Sequence, residues 1–320
     1  MSLRSLGRNS SPIVRRALLY VPASSEKMIR KSFNLTCDNV TYDLEDSVTD
    51  GNKEHARERL VNILGERNSL AGASQSVGEL AVRINPPLTQ NGLWDLTSVA
   101  KIGCVSTIVV SKVNQASDLA YVAQVAQQAR PAQFPPLKLI ALIESARGIM
   151  ELSSICSRTD SLDGLIIGLE DLALDLSVTR TPDLSEFLYA RSAIVTAARA
   201  FGVQSVIDMV CTDYMNDKVL REECQNGKRM GFNGKQVINP RQIDIVQDMF
   251  SPSEVEIEWA TRVSIASEKA KRDGRGAWTL DGEMIDAPVE KRAQRLLDLA
   301  KQCRISIENL REKWKGQEPE

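Results

Sequence analysis

The sequence predicts an α/β chain, a (β/α)8 TIM barrel with a C-terminal helical appendage. Three observations carry that expectation. Eight short apolar or β-branched runs alternate with segments of helical period. Nearly every run ends in a residue with chemistry to offer. After Phe250 the alternation gives way to a longer helical pattern.

In order, the runs are ALLYVP (17–22), NVTYDLED (39–46), LAVRIN (80–85), STIVVSKV (106–113), KLIALIES (138–145), LDGLIIGLED (162–171), QSVIDMV (204–210) and GKQVINP (234–240). Between them apolar residues recur at i, i+3 and i+4. SEFLYARSAIVTAARAFG (185–202) is the clearest case, with Gly202 as its stop. A doubly wound open sheet is the runner-up. It fits less well because no G-x-G-x-x-G follows the first run. The runs end in Tyr20, Glu45 and Asp46, Arg83 to Asn85, Lys112, Glu144 and Ser145, Glu170 and Asp171, Asp208, and Asn239. A barrel gathers such ends on one rim, where the sites of barrel enzymes lie.

Residues 17–250 are therefore read as the barrel and 251–320 as an extension. The extension opens with SPSEVEIEWATRVSIASEKAKRDGRG, in which Ser-Pro-Ser starts a helix and Gly274 and Gly276 break it. AWTLDGEMID and a last helix from about Pro288 to Cys303 follow. An extension carrying Trp259 and Trp278 is expected to dock on its own barrel or on a neighbour. Residues 1–16 hold four arginines, four serines and no acid. They read either as an organellar (mitochondrial) transit peptide or as a basic disordered tail of a cytoplasmic protein.

Composition narrows the function. A net charge of -2, with no Lys/Arg tract, leaves no nucleic-acid footprint. No apolar run reaches the ~20 residues of a membrane span, so neither partner is expected. Six cysteines without C-x-x-C spacing read as reduced thiols. The single histidine, His55, lies in a polar helical stretch and reads as a surface residue. Acid–base work must therefore fall mainly to carboxylates, Arg, Lys and Tyr.

The stretch YDLEDSVTDGNKEHAR (42–57) packs Asp43, Glu45 and Asp46 behind an apolar run. Like charges so close raise one another's pKa unless something positive answers them. A divalent cation with Lys53, Arg57 and Arg83 is the expected answer. Glu144 and Asp171 end the fifth and sixth runs. Two carboxylates on adjacent strand ends suit Mg2+, which takes a few hard oxygens and keeps several waters. The other reading is two rim acids paired with Arg147 or Lys112. The YDLED run favours the metal, because Asp43, Glu45 and Asp46 can hold the metal's waters.

LLYVPASSEKMIRKS, YDLEDSVTDGNKEHAR, VRINPP, SKV, LIESARG, GLEDL and MGFNGKQVINPRQI occur here in the order seen in the citrate lyase beta-subunit-like branch of the HpcH/HpaI aldolase superfamily. The chain resembles that branch over residues 15 to 300, and GRGAWTLDGEMIDAPV resembles its mitochondrial citramalyl-CoA lyase type. The resemblance implies a magnesium enzyme acting on an acyl-CoA thioester and a small oxo-acid. It implies Glu144 and Asp171 as metal ligands and Arg83 as the arginine that binds the oxo-acid and steadies negative charge. Tyr20, Lys27, Ile238 and Asn239 resemble substrate or CoA contacts. Asp286 of GEMIDAP is similar to an aspartate supplied from a neighbouring subunit of a homotrimer.

Two departures stand out. Ala23 replaces the glycine of the family's VPG, and Asn239 replaces the histidine of its IHP. Asn239 can hydrogen-bond but cannot take up a proton. The Glu45-Asp46-Ser47 turn resembles the CoA-thioester lyases, whereas the free-acid aldolases carry a histidine there.

The implied reaction is cleavage of a 3-hydroxyacyl-CoA, of citramalyl-CoA or malyl-CoA type, to acetyl-CoA and an oxo-acid. Mg2+ is the template, Arg83 holds the oxyanion, and Asp286 protonates the enolate carbon. Two alternatives remain beside it. One is a malyl-CoA thioesterase or malate-synthase-like activity; the other is a non-catalytic CoA-binding trimer.

Overall fold

Eight parallel strands close on themselves in the computed structural model, which describes residues 13–69 and 77–320, the side chains of 68 and 69 excepted. They are β1 (Ala17–Pro22), β2 (Cys37–Asp43), β3 (Val77–Ile84), β4 (Thr107–Val110), β5 (Lys138–Ile143), β6 (Leu162–Ile167), β7 (Ser205–Asp208) and β8 (Gly234–Val237). Each pairs with the next, and β1 closes the ring by pairing Leu18 with Gln236 of β8. The TIM barrel predicted from the eight runs is the fold observed.

Helices follow the strands: α1 (Glu26–Ser32), α2 (Lys53–Ser69), α3 (Gln90–Val99), α4 (Ala116–Ala129), α5 (Ala146–Met150), α6 (Leu152–Ser157), α7 (Leu169–Leu176), α8 (Leu188–Phe201), α9 (Asp217–Met230) and α10 (Ile243–Phe250). Gly202 ends α8 at φ 69, the left-handed stop expected there.

The period of two along each strand sorts the barrel interior into layers. Leu18, Ala81, Val109, Ile140, Leu142, Ile166 and Ile207 form one buried apolar cluster, with Tyr20 packed against it. Two residues earlier on β3, and matching positions on its neighbours, carry the polar side chains Glu79, Asn39, Thr107 and Ser205. Two residues later come Arg83 and Glu144. One alternation thus produces a polar floor, an apolar middle and a charged rim.

Arg15 fills the floor. Its guanidinium donates to Glu79 at 2.6 and 2.8 Å and to Ser205 at 2.8 Å, and lies 2.7 Å from Asp163. Burial alone would raise the Glu79 carboxyl, but the bonds from Arg15, Thr107 and Asn39 hold it below the usual carboxylate range. Gly234 lets the chain pass, since a Cβ there would lie 2.0 Å from the Arg15 carbonyl oxygen. Within the stretch read as leader or tail, Arg15 is thus built into the barrel; residues 1–12 lie outside those described.

The chain divides into two compact units, residues up to Asp248 and Met249–Glu320. In the second, α11 (Glu254–Arg272) starts on a Ser253–Glu256 capping box, and α12 (Ala287–Gln302) and α13 (Glu308–Lys313) follow. Ala260, Ala266, Ala270 and Ala293 keep its core tight around Trp278, Leu280 and Leu297. AWTLDGEMID forms a hairpin of β9 (Trp278–Leu280) and β10 (Glu283–Ile285). Asp281 and Gly282 turn it at φ 52 and 81, the primed-turn signature of Asp-Gly.

Candidate active site

Neighbouring strands put Asp43 and Arg83 in register at the rim. Arg83 grips Asp43 with two parallel bonds, Nε to Oδ1 at 2.7 Å and Nη2 to Oδ2 at 2.6 Å. Its Nη1 lies 3.1 Å from Glu45 Oε2 and donates to Asp46 Oδ2 at 3.2 Å. Tyr20 lies against the guanidinium at 4.7 Å. One arginine therefore meets all three acids of the YDLED run. Burial works to raise the Asp43 carboxyl, yet the Arg83 bonds hold it below its ordinary value. Glu45 moves the other way. Burial, with the charges of Asp46 and Glu144 and against that of Arg83, pushes it up to about 8. Its buried Oε2 makes no hydrogen bond.

Lys53 and Arg57 do not face these carboxylates, contrary to the sequence expectation. Lys53 Nζ donates to the backbone carbonyls of Leu44 and Glu45 at 3.2 and 2.6 Å. Arg57 donates to Asp95 at 2.7 Å and Asn91 at 3.2 Å. Both rise from the start of α2. The lysine braces the acid turn through its backbone, and the arginine is taken by the α3 acid.

Glu144 follows β5, 7 % exposed, and accepts the Lys112 backbone N–H at 2.7 Å. Burial, reinforced by the Asp171 charge and opposed by Lys112 and Arg83, pushes its carboxyl up to about 7. Asp171 stands not on a strand end but in the first turn of α7, because β6 stops at Ile167 and Gly168 caps the helix. The glycine makes room for the carboxylate beside it: a Cβ on Gly168 would lie 2.8 Å from Glu144 Oε2. Lys112, not Arg147, pairs with both acids. Its ammonium bonds Asp171 and lies 3.9 Å from Glu144 and 3.6 Å from Glu45.

Asp43, Asp46, Arg83, Glu144 and Asp171 border a cavity of about 450 Å³, walled by Tyr20, Met28, Leu142, Gln236 and Ile238. Tyr20 donates its hydroxyl to Gln236 at 3.1 Å, and Gln236 donates to the Ile167 and Asp208 carbonyls. Gln236 is a lining residue that the sequence reading missed; its inward position on β8 was the available signal. Asn239 stands after β8 and caps the turn at Pro240, accepting from Arg241 N–H at 3.1 Å. Lys27 is exposed on α1, next to the cavity residue Met28. Asp286 caps α12 in the second unit, accepting from Val289 N–H at 3.1 Å. A roomier cavity of about 660 Å³ beside α4 is lined by alanines and Arg130. Arg130 is bound there to the carbonyls of Ala100, Ile102, Val105 and Pro135, and carries no comparable chemistry.

Among the described residues no three His, Cys, Asp or Glu side chains are arranged to hold a metal on their own. The donor set fits a hard cation that keeps part of its water shell. Glu144 and Asp171 offer carboxylate oxygens, and the unbonded Glu45 Oε2 lies within the same acidic group.

A family model described as HpcH/HpaI aldolase/citrate lyase matches residues 16–240. The citrate lyase subunit beta of Haemophilus influenzae is 35% identical over 291 residues, 90% of this chain and 97% of that protein. The mitochondrial citramalyl-CoA lyase of Homo sapiens is 34% identical over 311 residues, 92% of this chain and 89% of that one. The solved structure of CitE from Mycobacterium tuberculosis in complex with magnesium, acetoacetate and coenzyme A superposes with a TM-score of 0.72 at 29% identity, covering 90% of this chain and 98% of that chain. The chain belongs to the HpcH/HpaI aldolase/citrate lyase family.

Proposed function

We propose, with that family membership as premise, that the chain is a Mg2+-dependent lyase acting on a CoA thioester. Its substrate is a 3-hydroxyacyl-CoA of citramalyl-CoA or malyl-CoA type, and its products are acetyl-CoA and a small oxo-acid such as pyruvate. The observation that carries the reading is the rim itself. Glu45 and Glu144 are buried with raised pKa values, Glu144 lines the cavity beside Asp171, and Glu45 Oε2 lacks a hydrogen bond. Arg83 and Lys112 offset only part of that burial cost, as the raised pKa values record, and a divalent cation would offset more of it.

Glu144 and Asp171 would hold the metal, with Asp43, Glu45 and Asp46 around it. When bound there, Mg2+ supplies Lewis-acid polarisation and a template for the substrate's carboxylate and hydroxyl oxygens. Arg83 keeps Asp43 and Glu45 in place. Its Nη2 gives one N–H to Asp43 and would offer its other to charge developing on the substrate. The Tyr20 ring and Ile238 wall the cavity against water. Lys27, exposed on α1, meets a CoA phosphate as a point charge.

Cleavage breaks the bond between C2 and C3 of the acyl chain. The C3 hydroxyl passes its proton to water and becomes the oxo-acid carbonyl, and the electron pair of the broken C2–C3 bond passes to C2 as a thioester enolate. Asp286 of a neighbouring subunit then delivers a proton to C2. In this reading the working unit is a homotrimer. The likeness to the human mitochondrial relative supports a mitochondrial address; cytosolic staining of a C-terminally tagged chain would reject it.

Turnover of citramalyl-, malyl- and citryl-CoA with and without Mg2+, in wild type, Glu144→Gln and Asp171→Asn, tests the assignment. Wild type should turn over at least one of these only with the metal, and both variants should be inactive yet folded. Metal-dependent turnover retained by either variant would remove the site. Co-folded Asp286→Ala and Glu144→Ala chains should partly restore each other, since a mixed oligomer pairs an intact metal site with an intact aspartate. Absence of complementation would return Asp286 to its own chain.

A further inference from the structure

Lys112 lies among the acids of the rim, and its backbone is arranged to keep it there. Its φ is 52, a left-handed conformation that non-glycine residues rarely adopt. Three bonds hold that conformation. The Lys112 N–H donates to Glu144 Oε1 at 2.7 Å, its carbonyl accepts from Asn114 Nδ2 at 3.2 Å, and the next N–H, of Val113, donates to Leu142 at 3.3 Å. Asn114 is in turn bonded to Ser145, the cap of α5 immediately after Glu144. The same local geometry therefore fixes Glu144 and aims the Lys112 ammonium at Asp171, Glu45 and Glu144. Arg83, the other cation of the rim, is occupied by Asp43, Glu45 and Asp46.

We propose that Lys112 is the resident counter-ion of the metal site and is exchanged for the divalent cation. Its ammonium holds Glu45, Glu144 and Asp171 together in the metal-free protein and leaves Asp171 when Mg2+ enters. The inference rests on Glu144 and Asp171 being the metal ligands. Two cations cannot share the same carboxylate oxygens at short range without repelling, so the lysine must withdraw as the metal binds. Mg2+ affinity then reports an exchange and is weaker than the bare carboxylates would give. Lys112 lies past the end of β4, its side chain about two-fifths exposed, and can swing outward without unfolding that strand. The loss in affinity is that of breaking a partly exposed pair, up to about fivefold.

Calorimetric titration of Mg2+ into metal-free wild type, Lys112→Met, Lys112→Arg and Glu144→Gln tests this without measuring turnover. Lys112→Met should bind Mg2+ up to about fivefold more tightly than wild type, whereas Lys112→Arg, which keeps the competing charge, should not. In thermal melts Lys112→Met should also gain more from saturating Mg2+ than wild type gains, because only wild type has an internal cation to lose. Should Lys112→Met fail to fold, Lys112→Gln carries the same expectation. Wild-type binding that is lost in Glu144→Gln, together with unchanged or weaker binding in the neutral Lys112 variants, would overturn the exchange and leave the metal site standing. Absence of Mg2+ binding to wild type, or binding untouched by Glu144→Gln, would overturn the metal site and the exchange with it.

Discussion

Lowering the pH from 8 to 6 should weaken Mg2+ binding by an amount that the buried carboxyls set. Only a deprotonated carboxylate binds the metal. Glu144 is raised from 4.5 to about 7, burial being the largest cause. It is therefore mostly ionised at pH 8 and mostly protonated at pH 6, which costs about tenfold in apparent affinity. If Glu45, raised to about 8, must also ionise, the loss grows by a further factor of about fifty. Glu45→Gln should then restore the tenfold dependence. At pH 6, titration calorimetry in two buffers of different ionisation heat counts the protons released, about one for Glu144 alone and about two if Glu45 joins it.

Stability of the metal-free protein runs the opposite way. A carboxyl raised in the folded state contributes stability that is fully present below its unfolded value and lost as pH rises through the folded one. For Glu144 that window is 4.5 to about 7. From pH 6 to 8 the metal-free protein should lose roughly 1 kcal/mol from this group. Mg2+ affinity independent of pH between 6 and 8 would refute the reasoning.

Three further outcomes follow from the geometry. Gly168→Ala places a Cβ 2.8 Å from Glu144 Oε2; it should lower Mg2+ affinity on the order of ten- to a hundredfold, with an unchanged circular dichroism spectrum, and wild-type affinity would contradict it. Arg15→Met leaves the buried Glu79 without its ion-pair partner and Asp163 with Lys138 alone, at 3.6 Å. Denaturant titration should show a loss of about 3–5 kcal/mol, and a loss below about 1 kcal/mol would deny the floor its role. Because the Glu79 carboxyl is held low, its contribution is present above the unfolded value and lost as pH falls through the folded one. Asn239→Ala removes a cap and should cost about 1 kcal/mol in denaturant titration; an unchanged midpoint would deny the side chain its capping role.

The barrel is legible because a closed parallel sheet needs β-branched runs covered on both faces, and such runs stand out between helical segments. The rim is legible because a charge that ends an apolar run has few other places to go. Asp171 shows where this reading stops: in GLEDL the apolar spacing suits a strand end or a first helical turn equally, and only Gly168 beside Glu144 decides it. Nothing in the SKV motif announces a left-handed Lys112, since that conformation has no residue signature outside glycine, Asn and Asp. Arg15 reads as part of a basic tail because its partners, Glu79 and Asp163, are distant in sequence. Asn239 resembles a substrate contact by motif position, yet its side chain caps the turn that follows.

The identity of the CoA product tests the central claim most directly. Wild type is incubated with Mg2+ and each of citramalyl-, malyl- and citryl-CoA, and the thioesters, free CoA and oxo-acid are separated over time. Carbon–carbon lysis at the Glu144/Asp171 rim predicts that acetyl-CoA and oxo-acid appear in equal amounts, with no early free CoA and no turnover once Mg2+ is chelated. Free CoA released together with an intact hydroxy diacid, and no acetyl-CoA, would contradict the lyase and make the protein a thioesterase.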